Sequence, residues 1–146
     1  MKDVMEASAR RYAGFFTHLK ETDLDRLGEV FTPDARFKDP FNDVSGLDGI
    51  EMVFRHMFRN CPEPRFYIHA WAVKDNTAYF HWRFTDREDN GVSGMRLDVD
   101  GMSRVLFNDS GLVISHVDYW DAAEYLYEQI PVLSAAIRFV KRRITA

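Results

Sequence analysis

At 146 residues the chain has room for one domain and too little for two full cores. Hydrophobic residues make up 46 % and aromatics 14 % of it, which excludes a disordered polymer and points to an aromatic-heavy core or an aromatic-lined cavity. The formal net charge of −4 excludes a binder that neutralises phosphates with surplus Lys and Arg, so no nucleic-acid partner is expected.

The opening residues, MKDVMEASARR, mix both charges and lack the apolar stretch of a signal peptide. No apolar run approaches the roughly 20 residues of a membrane helix, so no membrane partner is expected. Cys61 is the one cysteine, so no internal disulfide can form, which fits a reducing, cytoplasmic location. We expect one domain over 1–146, with residues 121–146 as a C-terminal helical extension.

In chain order, Tyr12, Phe15, Phe16 and Leu19 fall at i, i+3, i+4 and i+7 and predict a first helix with one apolar face. Thr22 with Asp25 reads as a capping box for a short second helix that carries Leu24, Leu27 and Phe31 inward and stops at Pro33-Asp34. Ala35 to Lys38 reads as a short strand, and Asp39-Pro40 as a turn, because proline pushes its predecessor out of the α region. Ser45-Gly46-Leu47-Asp48 is a second candidate capping box. The helix after it gathers Ile50, Val53, Phe54, Met57 and Phe58, and ends at Cys61-Pro62-Glu63-Pro64.

The pattern then changes. Phe66–Val73 and Thr77–Phe84 read as a hairpin across Lys74-Asp75-Asn76. Ala78, Phe80, Trp82 and Phe84 form an apolar face that lines core or pocket. Tyr67, Trp71, Tyr79 and Arg83 are expected on the opposite face, where aromatics and arginine suit a homodimer interface. Asp86–Gly94 is a polar loop, Met95–Phe107 a long strand with a bulge at Gly101, Asn108–Gly111 a turn, and Leu112–Trp120 the last strand. Asp98 and Asp100 beside Arg96 and Arg104 read as a solvated ion-pair ladder. Asp121 caps a terminal helix, with Glu124 in the box position, and Pro131 kinks that helix or starts another. Leu133, Ala136, Ile137 and Val140 make an inward stripe, and Lys141, Arg142 and Arg143 suit a helix C-terminus. The sequence leaves open whether this helix lids a pocket, meets a partner or covers the sheet edge. Helices segregated from strands predict an α+β fold: a cone-shaped, curved, mainly antiparallel sheet, with N-terminal helices enclosing a pocket and a C-terminal helix.

The segment GEVFTPDARFKDPF, with its Phe-x-Pro-Asp-Ala-x-Phe-x-Asp-Pro pattern, and the segment SRVLFNDSGLVISHVDYW resemble the nuclear transport factor 2-like superfamily, its ketosteroid isomerases and SnoaL-like proteins above all. The resemblance spans about residues 5 to 120 and implies a small hydrophobic ligand and no cofactor. It places Asp39 at the isomerase general base and Trp120 at a pocket tryptophan. It also places Phe15 where the isomerases carry a tyrosine donor, and Ser103 where they carry an aspartic acid donor. Without that donor pair, steroid isomerisation itself is not expected.

His116, Asp118 and Trp120 alternate along the last strand and share a face. Turned inward they bring two titratable groups into an apolar cavity as an acid/base pair; shifted by one residue, they face solvent and Val117 and Tyr119 go in. Asp39 reads equally as a turn residue bonded to nearby backbone. The candidate catalytic residues are therefore Asp39, His116 and Asp118. The candidate ligand contacts are Tyr12, Phe15, Phe16, Phe41, Phe54, Phe80, Trp82, Ser103 and Trp120. The five histidines are scattered and no paired-ligand spacing occurs, so no metal is expected. The functional expectation is a pocket protein acting as a cofactor-free isomerase, cyclase or dehydratase on a carbonyl compound; a non-catalytic binding protein and a protein-interaction module of the same fold are the alternatives.

Overall fold

The computed structural model describes residues 2–87 and 95–146. Part of the polar loop expected over Asp86–Gly94, residues 88–94, lies outside the described residues. Helix α1 (Lys2–Thr17) buries Met5, Ala9, Tyr12, Ala13 and Phe16, the i, i+4 face of its pattern. A 3-10 segment, Glu21–Glu29, follows and buries Leu24 and Leu27. Its cap is two residues earlier than expected: the Lys20 backbone N–H donates to Asp23 Oδ2 at 2.8 Å. Thr22 caps nothing, and Asp25 instead pairs with Arg55.

Phe31 does not end that helix but begins strand β1 (Phe31–Lys38), and Pro33-Asp34 lies inside the strand. This is tolerated because the pairing of β1 with β6 is irregular between Phe31 and Arg36. Proline has no N–H to give and sits where no ladder bond is required of it. Strand β2 (Asp43–Ser45) was not read from the sequence, and it takes Ser45 away from the expected cap. Helix α2 (Leu47–Asn60) starts instead from Gly46 at φ 95°, without a side-chain cap. It buries Ile50 and Phe54.

Strands β3 (Arg65–Lys74), β4 (Thr77–Thr85), β5 (Asp98–Phe107) and β6 (Val113–Tyr119) complete a curved sheet in the order β2-β1-β6-β5-β4-β3. Every pairing is antiparallel except β1 with β6. The β3–β4 turn places Asp75 at φ 55°, which an aspartate tolerates better than most residues. The apolar face carries Phe80, Trp82, Val99, Val105, Phe107 and Val113 against α1 and α2.

Two strand details depart from expectation. Gly101 forms no bulge, since β4 and β5 pair without a break across it. It is needed for closeness: a Cβ there would stand 2.4 Å from the Trp82 ring. The bulge lies in β3, between Ile68 and Ala70, where His69 is the extra residue. That insertion turns Trp71 to the inner face, where it pairs with Phe80 rather than joining the outer aromatics. Its indole Nε1–H donates to Glu6 Oε1 at 2.8 Å and ties β3 to α1.

After β6, helix α3 (Ala122–Tyr125) is capped as expected, with the Glu124 N–H donating to Asp121 Oδ1 at 3.0 Å. A 3-10 turn, Tyr127–Gln129, leads to helix α4 (Pro131–Ile144), which Pro131 starts at its first turn. The inward stripe expected on α4 is not buried: Leu133, Ala136 and Val140 are exposed and Ile137 is half-buried. The helix packs mainly on the 3-10 turn, so its apolar side meets no sheet. No described helix is long and apolar enough to cross a membrane.

Candidate functional site

Between the sheet, α1 and α2 lies a cavity of about 280 Å3 whose walls are mostly hydrocarbon. Tyr12 and Phe16 reach it from α1, Phe54 and Met57 from α2. Phe80, Trp82, Ser103, His116, Asp118 and Trp120 reach it from β4 to β6 and the end of β6. Asp39 and Phe41 stand on the turn after β1.

One expected contact is missing. Phe15 does not line this cavity; it lines a second groove with His18, Lys20 and Arg65. The reason is helical rotation: Tyr12 and Phe16, four residues apart, share the cavity face, while Phe15 is turned off it. Phe15 stacks on the outside of Tyr12, with ring centroids 6.1 Å apart.

The β5–β6 register pairs Ser103 with Asp118 and Val105 with His116. His116 and Asp118 therefore face the cavity, and Tyr119 is exposed on the other face. A chain of polar groups runs across the apolar floor. The Trp82 indole N–H donates to Ser103 Oγ at 2.7 Å, and the Ser103 hydroxyl donates to Asp118 Oδ1 at 2.5 Å. His116 Nε2 lies 2.5 Å from the same Asp118 oxygen, and His116 Nδ1 lies 2.8 Å from Tyr12 Oη.

The direction of each bond follows from chemistry. Indole can only donate, so the serine proton is left for the carboxylate. An ionised carboxylate can only accept, so His116 carries its proton on Nε2. In the neutral ring Nδ1 then accepts from the Tyr12 hydroxyl. Burial, and next the negative charge of Asp118, hold the Tyr12 phenol well above the usual range, so it stays a protonated donor. Asp118 Oδ2 takes part in none of these bonds, and the side chain keeps 17 % exposure toward the cavity.

Asp39 is engaged differently. Its Oδ1 accepts from the backbone N–H groups of Phe41 and Asn42, both at 2.7 Å, and the Asn42 amide reaches both oxygens at 3.1 Å. It lines the cavity rim while closing its own turn.

Several contributors escaped the sequence reading. Phe37 stacks on His116 at 4.6 Å with ring planes 16° apart; its alternation with Asp39 along β1 was the available signal. Asn42 and His56 add polar atoms near the rim. Cys61 lines the wall, and burial, followed by the charge of Asp86, pushes its thiol up to about 11.

A curved sheet closed by helices over such a cavity is the nuclear transport factor 2-like architecture. The SnoaL-like domain model matches residues 12–116, and the chain belongs to that family. A candidate SnoaL-like polyketide cyclase from Jannaschia sp. CCS1 is similar with a TM-score of 0.69 at 18 % identity, over 84 % of this chain and 88 % of that one. A candidate isomerase of the SnoaL-like family from Agrobacterium tumefaciens str. C58 is similar at 0.63 and 19 % identity, over 82 % and 98 %. TerC, co-crystallised with polyporic acid, is similar at 0.66 and 12 % identity, over 83 % and 94 %. No curated protein sequence matches significantly. At these identities the solved structures speak to fold alone.

Proposed function

We propose that the cavity binds a small hydrophobic carbonyl compound and moves a proton on it without a cofactor, as an isomerase or cyclase does. The observation that carries this reading is the polar chain Trp82–Ser103–Asp118–His116–Tyr12 laid across an otherwise apolar floor. Buried polar groups cost stability unless satisfied, and a buried core does not need five of them in series.

In this scheme Asp118 Oδ2 takes a proton from the carbon beside the carbonyl. Asp118 holds that proton on Oδ2 and returns it to a second carbon of the ligand, which restores the carboxylate. His116 keeps its Nε2–H on Asp118 Oδ1, and the Tyr12 hydroxyl turns from His116 Nδ1 to donate to the developing oxyanion, the task for which preorganised donors are most effective. Phe37, stacked on the imidazole, holds the plane of the His116 ring. Asp39, already holding its own turn, is the second carboxylate at the rim. Ser103 and Tyr12 are the polar helpers; Phe16, Phe41, Phe54, Phe80, Trp82 and Trp120 hold the apolar body of the ligand. The lone, buried Cys61 thiol suits a cytoplasmic setting. TerC, co-crystallised with polyporic acid, and the candidate cyclase from Jannaschia suggest where a compound panel should start.

The test is hydrogen–deuterium exchange at the carbon beside the carbonyl, followed by NMR over a panel of apolar ketones and quinones, polyporic acid included. Binding is read in parallel from quenching of tryptophan fluorescence. Asp118→Asn is expected to keep binding and lose exchange. Binding without exchange in the native protein would replace this reading by that of a carrier.

We also propose a homodimer through the outer sheet face, with Tyr67, Tyr79 and Arg83 joined by the exposed Met102 and Tyr119. Tyr79→Glu with Tyr119→Glu should convert it to a monomer by light scattering; an unchanged mass would discard this interface.

A further inference from the structure

Helix α4 leaves the body of the protein at the cavity rim. Leu126 and Trp120 line the cavity, and Phe41 on its other side touches Tyr127 with ring centroids 6.1 Å apart. Four residues later Pro131 starts the helix. Its protein-facing side is narrow: Ser134 is buried, Ile137 is half-buried, and Lys141 pairs with Glu128.

The opposite side is apolar and uncovered. With 3.6 residues per turn, Val132, Leu133, Ala136, Phe139, Val140 and Ile144 fall on one broad arc. The five large members of that arc are between 42 % and 81 % exposed. Such a contiguous patch marks a surface that meets something other than water.

The charges say what it meets. From Pro131 to Ala146 the chain carries Arg138, Lys141, Arg142 and Arg143 and no Asp or Glu, although the whole chain is at −4. Arg138 and Arg142, one turn apart, border one edge of the apolar arc. Arg143 lies over the Phe139 ring, its guanidinium carbon 5.0 Å from the centroid, a cation–π contact that sets a cation on the arc itself. Arg142 and Arg143 form no ion pair among the described residues. An apolar arc bordered by unpaired cations is complementary to a bilayer bearing anionic lipid, with the arc among the acyl chains and the cations among the phosphates.

We infer that α4 is an interfacial helix that docks the protein on an anionic membrane surface, with the rim of the cavity held beside the bilayer. The position of the rim gives this docking a purpose that rests on the proposed function: an apolar carbonyl compound partitions into lipid, and a mouth held there collects it without passage through water. The helix lies on the surface and does not span it.

The full chain is mixed with vesicles of phosphatidylcholine alone, and with vesicles that also contain phosphatidylglycerol. Bound protein is read by co-sedimentation. Binding to the anionic vesicles is expected to be tighter by on the order of tenfold or more, given the contribution of each cation near such a surface, and to weaken as salt is raised. Phe139→Ser with Val140→Ser should reduce it by on the order of tenfold through lost apolar contact. Arg142→Glu with Arg143→Glu should remove the preference for anionic lipid. These residues are exposed, so circular dichroism and Tm should stay unchanged in both variants. Asp118→Asn acts on the cavity alone and should leave vesicle binding intact, so failure of docking and failure of the carbonyl chemistry are read separately. Equal binding to both vesicle types, or none to either, overturns the inference. A drop in oligomer mass on Phe139→Ser with Val140→Ser, with no vesicle binding in the native chain, would assign the arc to a second copy instead.

Discussion

The two faces of the sheet are built from the same strands yet use polar groups in opposite ways. On the outer face Arg83 pairs with Asp98 at 2.7 Å, His81 with Asp100 at 2.7 Å and Arg36 with Asp43 at 2.8 Å. These groups stand in water, which already solvates each charge. On the inner face the distances are similar, but Ser103 and His116 are buried and the bonds link into one chain. There each group depends on its neighbour, because no water replaces a lost partner. Geometry alone does not rank these pairs; their surroundings do.

That contrast can be broken at graded points. The largest effect is expected for Asp118→Ala, which leaves the Ser103 hydroxyl and His116 without their acceptor. It should cost about 2–3 kcal/mol, lower Tm by roughly 5–10 °C for a chain of this size, and abolish proton exchange; calorimetry and the exchange assay check both. An unchanged Tm would mean that water replaces the carboxylate and that the floor is wet.

Gly101→Ala comes next. The new Cβ would meet the Trp82 ring at 2.4 Å, so the indole must leave its bond to Ser103. Overpacking of this kind costs about 1–3 kcal/mol, and the shift should appear in Trp82 fluorescence as well as in denaturant midpoint. Trp71→Phe keeps the ring but loses the bond to Glu6. A loss of about 1 kcal/mol would agree with its inner position after the bulge, whereas an outer aromatic would show almost none.

The wall of the cavity gives a pH test. The thiol of Cys61 is held up to about 11 from an ordinary 9.0. The folded state therefore keeps a proton that the unfolded chain releases. Its contribution is complete below pH 9 and declines as pH rises from 9 through 11. Tyr12, raised well above 10.0, adds a loss of the same sign that begins near pH 10 and continues above it. Urea midpoints measured over this window should fall less steeply in Cys61→Ala. The smallest effect belongs to the outer face: Arg83→Ala should change stability by less than about 1 kcal/mol, and less again at high salt.

Much of this arrangement can be read before any coordinates exist. Period-2 alternation put Phe80 with Trp82, and His116 with Asp118, on common faces. The i, i+4 spacing put Tyr12 with Phe16, and the Asp121–Glu124 cap and the Pro131 start also held. Other elements could not be read. Thr22 and Ser45 have good capping chemistry, but Asp23 reached Lys20 first and Ser45 was taken by β2. Phe31 and Pro33 read as a helix end because nothing local announces that β6 lies alongside them. The exposed stripe of α4 has the same periodicity as a buried one, so pattern alone cannot say what lies opposite it.

The sequence by itself determined which side chains share a helix face or a strand face, because those periods are properties of a local backbone. Which residues meet across the cavity was decided by the tertiary structure alone. One extra residue, His69, turned Trp71 inward, and the pairing of β5 with β6 brought Ser103 beside Asp118. Tyr12 and His116 are joined by a bond between positions 104 residues apart. Such contacts arise from strand register and from the docking of α1 on the sheet, and those are fixed only when the whole apolar surface is buried at once.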